Sequence, residues 1–206
     1  LITSGRTKEN IDPVRYLSNN SSGKMGYSLA QAAADLGAEV TLISGPTNLK
    51  VPNGLEKFIF VESALEMYEK VDEYFKNTDI FIACAAVADY RPKEYKKEKI
   101  KKSDSDFVIE LVRNPDILLE MSKKKEKQLL VGFAAETNEI RENALKKLEK
   151  KNLDIIVANN ASVMGSDENV IEIIKKDRTS VEISQKSKIE LAYDILNEVI
   201  FELKKR

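Results

Sequence analysis

Residues 16–37, YLSNNSSGKMGYSLAQAAADLG, place two asparagines, two serines and a glycine–lysine pair in front of a helical pattern. A phosphate-cradling P-loop needs Gly-x-x-x-x-Gly-Lys-[Ser/Thr]. Here Ser18 stands where the first glycine belongs, and Met25 follows Lys24. The motif fails twice, which leaves small polar groups and amides at a helix start. Elsewhere, six lysines crowd 93–102 (KEYKKEKIKK), Lys147 and Lys151 lie four apart on one helix face, and Asp89 closes the run AAVAD. The chain has no histidine, which removes Ser-His-Asp and Cys-His triads, histidine bases and histidine metal ligands together. Its single cysteine, Cys84, cannot build a zinc site alone. The chemistry left is charge neutralisation and hydrogen bonding by Lys, Asp, Glu, Asn, backbone amides and a bound metal.

The elements that must carry these groups alternate. Strands are expected at 38–44, 79–88, 107–112, 128–135 and 153–159, the longer ones nearly continuous in apolar residues, as buried parallel strands are. A helix over 62–77 opens on Ser63-x-x-Glu66 and sets Leu65, Tyr68, Val71 and Phe75 on one face. Asn114-Pro115 reads as a cap with proline at the first helical position. A helix spans 138–150. The segments VIEIIKK and TSVEIS, joined by Asp177-Arg178, read as a hairpin. The last helix, 187–203, carries Ile189, Ala192, Leu196, Val199 and Leu203. Residues 93–102 have neither period and read as a mobile loop. The expected fold is α/β: one three-layer, Rossmann-like domain over 1–206, with a mainly parallel sheet and a C-terminal antiparallel hairpin. Ligands of such sheets sit beyond the strands' carboxyl ends, where TSGRTKENID, SGPTN, AAVADYRP, FAAETN and ANNAS fall.

The 206 residues, 42% hydrophobic and 33% charged, suit one sizeable core, and a net charge of −1 exerts no global pull toward nucleic acid or an anionic membrane. No apolar run approaches the ~20 residues that span a bilayer. One cysteine fits a reducing cytoplasm. The apolar start reads as part-way into a first strand, so the chain is expected to be one piece of a longer polypeptide.

Eight stretches carry a resemblance: TSGRTKENIDPVRYLSNNSSGKMG, ISGPTNL, AAVADYRP, EKIKK, LVRNPDIL, VGFAAETN, KKNLDIIVANN and GSDEN. In this order they resemble the phosphopantothenate–cysteine ligases of the bacterial CTP-dependent type. The resemblance implies that the carboxylate of 4′-phosphopantothenate attacks the α-phosphate of CTP, giving an acyl-cytidylate and pyrophosphate. The amine of L-cysteine then displaces CMP to form 4′-phosphopantothenoylcysteine, a coenzyme A precursor. It further implies Mg²⁺, a homodimer, and a flavin-dependent decarboxylase domain fused in front.

Site residues carried over by the resemblance each have a plainer reading. Asn19 would face the activated acyl group, or merely cap a turn. Ser21, Ser22 and Gly23, with Ala85, would bind the phosphopantothenate, while Ser22 as a simple helix cap explains the same residues. Lys99 would neutralise charge as the acyl-cytidylate forms, or belong with Lys101 and Lys102 to a solvated charge run. Asp89 would meet the nucleotide at a ribose hydroxyl, or make an Asx turn. Pro115, Asp116, Ile117 and Leu118 would offer backbone to the nucleotide, or simply start a helix. Phe133 would pack on the nucleotide, or belong to the core. Lys147 and Lys151 would reach the triphosphate or base; spacing alone makes them surface lysines. No metal ligands are legible. Two other function classes compete. A nicotinamide oxidoreductase needs Gly-x-Gly-x-x-Gly after the first strand, where SGRTKEN has one glycine. A nucleotide sensor without catalysis would need neither Asn19 nor Lys99.

Overall fold

The computed structural model describes residues 1–102, 106–136, 139–160 and 168–206, with backbone only at 135, 136, 160, 168 and 169. Thr137, Asn138, the end of ANNAS and most of GSDEN lie outside the described residues. The first strand, β1 (Ile2–Ser4), is followed by a hairpin of β2 (Lys8–Asn10) and β3 (Tyr16–Ser18), then α1 (Lys24–Asp35), β4 (Thr41–Ser44), β5 (Lys57–Phe60), α2 (Ala64–Phe75) and β6 (Ile80–Ala83). Next come β7 (Tyr90–Pro92), β8 (Leu111–Arg113), α3 (Ile117–Lys123), β9 (Leu129–Glu136), α4 (Ile140–Lys150) and β10 (Ile155–Asn160). The chain closes with β11 (Glu168–Lys175), β12 (Ser180–Ser187) and α5 (Lys188–Leu203).

Eight strands form one sheet in the order β12-β11-β10-β9-β6-β1-β4-β5. The six from β10 to β5 are parallel, and β11 and β12 add the expected antiparallel hairpin. Alternate residues feed two cores. Leu129, Val131, Ile155 and Val157 pack with α1 and α5; Leu130, Ile156 and Ala158 pack with α2, α3 and α4. Covering both faces is why these strands read as unbroken apolar runs. Strand order reverses between β1 and β6, so the carboxyl ends of those two strands open a crevice.

Several expectations fail for physical reasons. The apolar run 79–88 is ladder only over Ile80–Ala83; beyond it, Ala86 bridges Arg6 and its carbonyl accepts from the Thr7 amide at 3.2 Å. Those alanines let two chains pass closely instead of extending a strand. Of 107–112, only its end pairs, against β7; Phe107 and Val108 are exposed, so their alternation has no sheet to join. On α2 the buried residues are Ala64, Met67, Val71 and Phe75, with Leu65 exposed. On α5, Leu191 and Ile195 join Ala192, Leu196 and Val199, and Ile189 is exposed. Choosing among apolar residues one position apart needs the partner surface, which the helical period does not contain. The hairpin β2–β3 and strands β5 and β7 went unrecognised, each being four residues or shorter and outwardly polar or aromatic.

Helix starts also differ. The cap of α3 is Asp116, whose carboxylate accepts from the Leu119 amide at 3.1 Å; Asn114 and Pro115 precede it. The residue at the cap of α1 is Gly23, not Ser22, whose hydroxyl accepts from the Lys24 amide, two residues on, at 3.4 Å. The lysine-rich loop, expected to be mobile, lies tied across the β2–β3 turn. The Lys96 amide donates to the Ile11 carbonyl (2.9 Å), the Ile100 amide to Asp12 (3.1 Å), and the Arg15 guanidinium to the Ile100 carbonyl (2.8 Å). Asp12, buried and held by Arg15, keeps its charge: burial would raise its pKa, but the guanidinium and the amides of Val14, Ile100 and Arg15 outweigh that and hold it far below the ordinary carboxylate range.

Candidate active site

A cavity of about 200 Å³ opens where the sheet order reverses. Thr3 at the end of β1, Ala83 and Ala85 at the end of β6, and Phe133 in β9 form its floor. Ala88 and Asp89 form one wall; Asn114 through Leu118 form the other, where β8 runs into α3. Lys147 and Lys151 reach in from α4. Ala85, Asp89, Pro115, Asp116, Ile117, Leu118, Phe133, Lys147 and Lys151 thus meet in one place, drawn from four separate segments of chain.

The two lysines are held differently. The Lys147 ammonium donates to the Phe133 carbonyl at 2.6 Å, fixing one charge over the cavity floor. The Lys151 ammonium bridges both Asp116 oxygens at 2.8 Å, with its side chain largely buried. For Asp116, burial acts to raise the pKa, but Lys151, the Leu119 amide and Lys147 together bring it below the ordinary value. The carboxylate that caps α3 therefore also aims Lys151. Phe133 is half-buried against the core, as its plainer reading has it, and also lines the cavity. Asp89 is exposed, and among the described residues nothing is hydrogen-bonded to its carboxylate.

Asn19, Ser21, Ser22, Gly23 and Lys99 do not line this cavity. Asn19 is nonetheless coupled to it: its side-chain amide donates to the Ala86 carbonyl at 3.1 Å, one residue beyond Ala85. It is not a turn cap, because that bond spans 67 positions. Gly23 has φ 77, and a Cβ there would lie 2.7 Å from Thr47 Cγ2 and 3.2 Å from Gly5 Cα. Glycine alone brings the start of α1 this close to the end of β1. Lys99 is exposed on the tied loop. Sequence reasoning missed Thr3, Ala83, Val87, Ala88 and Asn114 as lining residues. Thr3 and Asn114 left a signal: a polar residue in an apolar strand, and an asparagine that proved not to be a cap.

Among the described residues, no group of three or more His, Cys, Asp or Glu side chains could hold a metal. No helix among them is long and apolar enough to cross a membrane.

Residues 1–202 match the family model described as the DNA/pantothenate metabolism flavoprotein C-terminal domain. The chain is 49% identical over 203 residues to the coenzyme A biosynthesis bifunctional protein CoaBC of Bacillus subtilis, covering 97% of this chain and 50% of that protein. The counterpart from Haemophilus influenzae gives the same identity and coverage. The chain thus spans about half the length of these curated relatives. A crystal structure of the C-terminal domain of a CoaBC protein, 44% identical, superposes with a TM-score of 0.87, covering 100% of this chain and 95% of that one.

Proposed function

The chain belongs to the DNA/pantothenate metabolism flavoprotein C-terminal domain family, and we propose that it is a ligase of coenzyme A biosynthesis, joining L-cysteine to 4′-phosphopantothenate with CTP. The observation that carries this reading is the meeting of Ala85, Asp89, residues 115–118, Phe133, Lys147 and Lys151 around one cavity at the sheet's switch point. In the first step a carboxylate oxygen of 4′-phosphopantothenate bonds to the α-phosphorus of CTP, and pyrophosphate leaves. In the second, the cysteine amine bonds to the acyl carbon of the 4′-phosphopantothenoyl-cytidylate; CMP leaves and the amine loses a proton.

The barrier to the first step is the meeting of two anions, and the chain answers it with fixed charge and donors. Lys147 and Lys151, pinned by the Phe133 carbonyl and by Asp116, stand against the triphosphate without having to reorganise. Asp89 accepts from a ribose hydroxyl. The amide of Asn19 donates to the acyl oxygen, and being neutral it adds no competing nucleophile. Ser21, Ser22 and Gly23 hold the phosphopantothenate, and Lys99 neutralises charge as the cytidylate forms. Mg²⁺, when bound, would offset the charge of the nucleotide's phosphates alongside Lys147 and Lys151. Chelation with EDTA is expected to stop turnover, and excess Mg²⁺ to restore it; full activity without a divalent ion would remove the metal from the mechanism.

The direct test is pyrophosphate release. It is expected to require CTP and phosphopantothenate together, with ATP a poorer donor; no release would end the ligase reading. Lys99→Gln is expected to remove that release by about a hundredfold or more, and a normal rate would take Lys99 out of the mechanism. We read 1–206 as one ligase domain, acting in the cytoplasm as a homodimer; a fused decarboxylase domain, as in the bifunctional relatives, belongs to the same reading. Support for the dimer comes from Tyr16, Tyr90, Phe107, Val108 and Leu111, exposed apolar side chains on or beside the two small sheets β2–β3 and β7–β8. Sedimentation at micromolar concentration should give twice the chain mass.

A further inference from the structure

Two polar side chains outside the proposed catalytic set converge on the backbone of one residue, Ala88, beside the cavity. The hydroxyl of Thr7, fully buried, accepts from the Ala88 amide at 2.9 Å. The side-chain amide of Asn114 donates to the Ala88 carbonyl at 2.8 Å. The Asn114 backbone amide donates to the Asp89 carbonyl, also at 2.8 Å. The Asn114 side-chain oxygen accepts from Arg91 at 3.0 Å, and the same guanidinium nitrogen donates to the Arg113 carbonyl at 2.7 Å. Residue 88 is therefore gripped at both its amide and its carbonyl by side chains from opposite sides, 26 and 81 positions away. The residue that follows is Asp89, whose carboxylate lines the cavity without a partner among the described residues.

We propose that Thr7 and Asn114 are positioning residues for nucleotide binding, acting through Ala88 to hold the Asp89 carboxylate at the cavity wall. Neither side chain need touch the nucleotide. Fixing both ends of one residue sets its dihedral angles, and with them the direction of the next side chain. An acceptor or donor lost here also leaves a buried partner on Ala88 unsatisfied, so the loop moves to find another. The inference rests on the reading that Asp89 contacts the nucleotide.

The test uses the whole chain and steady-state kinetics, with CMP affinity by calorimetry. Thr7→Val and Asn114→Ala are each expected to raise KM for CTP roughly tenfold. The kcat, and KM for phosphopantothenate, should stay within about twofold, because uniform binding is lost and not transition-state stabilisation. Thr7→Ser keeps the acceptor and should behave as the parent. Should Thr7→Val fail to fold, Asn114→Asp, which keeps the shape and the Arg91 pairing but loses the donor, reads the same KM. In an Asp89→Ala background the Asn114→Ala change should add less than about twofold, since its effect runs through Asp89. Effects that multiply in full, or CTP affinity untouched in the single variants, would overturn the positioning role while leaving the ligase reading intact. A parent chain without CTP-dependent turnover would overturn both.

Discussion

Asn19→Asp will release about one pyrophosphate per active site and then stall. The side-chain amide of Asn19 donates to the Ala86 carbonyl at 3.1 Å, which sets it beside the loop that carries Ala85 toward the cavity. Aspartate has nearly the same shape but only accepts, and its charge would face the Ala86 carbonyl oxygen. The first step can proceed, because Lys147 and Lys151 are held independently of residue 19. In the proposed mechanism the second step needs a donor on the acyl oxygen as the cysteine amine attacks, and a carboxylate there would oppose the developing charge. Removing one such donor costs about 10²–10³ in rate. The measurement is a pre-steady-state burst of pyrophosphate against cysteine-dependent CMP release. A variant with normal CMP release would remove Asn19 from the acyl site.

Gly26→Ala will destabilise the chain by about 2–4 kcal/mol, although alanine is the better helix former. Gly26 sits in the first turns of α1, against β1. A Cβ on it would lie 2.2 Å from Ser4 Oγ, 2.5 Å from Ser4 Cβ and 3.1 Å from Ser4 Cα. Rotating the Ser4 hydroxyl moves only the first of these atoms, so the helix itself has to lift from the strand. Helix propensity gives back about 1 kcal/mol, which the clash exceeds. The Ser4 hydroxyl, fully buried, also donates to the Gly23 carbonyl at 3.1 Å, so lifting α1 disturbs Ser21, Ser22 and Gly23 as well. Urea denaturation midpoints check this, and Ser4→Gly in the Gly26→Ala chain should recover part of the loss. A higher midpoint for Gly26→Ala alone would show that the helix packs with room to spare.

The plan of the fold was legible because it depends on patterns that survive without partners. Strands buried on both faces read as continuous apolar runs, as in Leu129–Glu136 and Ile155–Asn160, and helices between them fix parallel order. The turn at Asp177-Arg178 was legible too: Arg178 takes φ 67, and Asp177 accepts from the Thr179 amide at 2.9 Å. The family resemblance also came from local residues, motif by motif. What the sequence could not decide was anything set by one surface meeting another. Met67 and not Leu65 is buried on α2 because of the sheet beneath it, and Asn114 spends its amide on Ala88, not on capping α3. Lys147 and Lys151 look like surface lysines at helical spacing; a carbonyl and a carboxylate from other segments turn them into fixed charges at a cavity. Residue types determined which chemistry was available to this chain. Only the reversal of strand order between β1 and β6 decided that those residues would face one another, because a crevice exists only where neighbouring crossovers part.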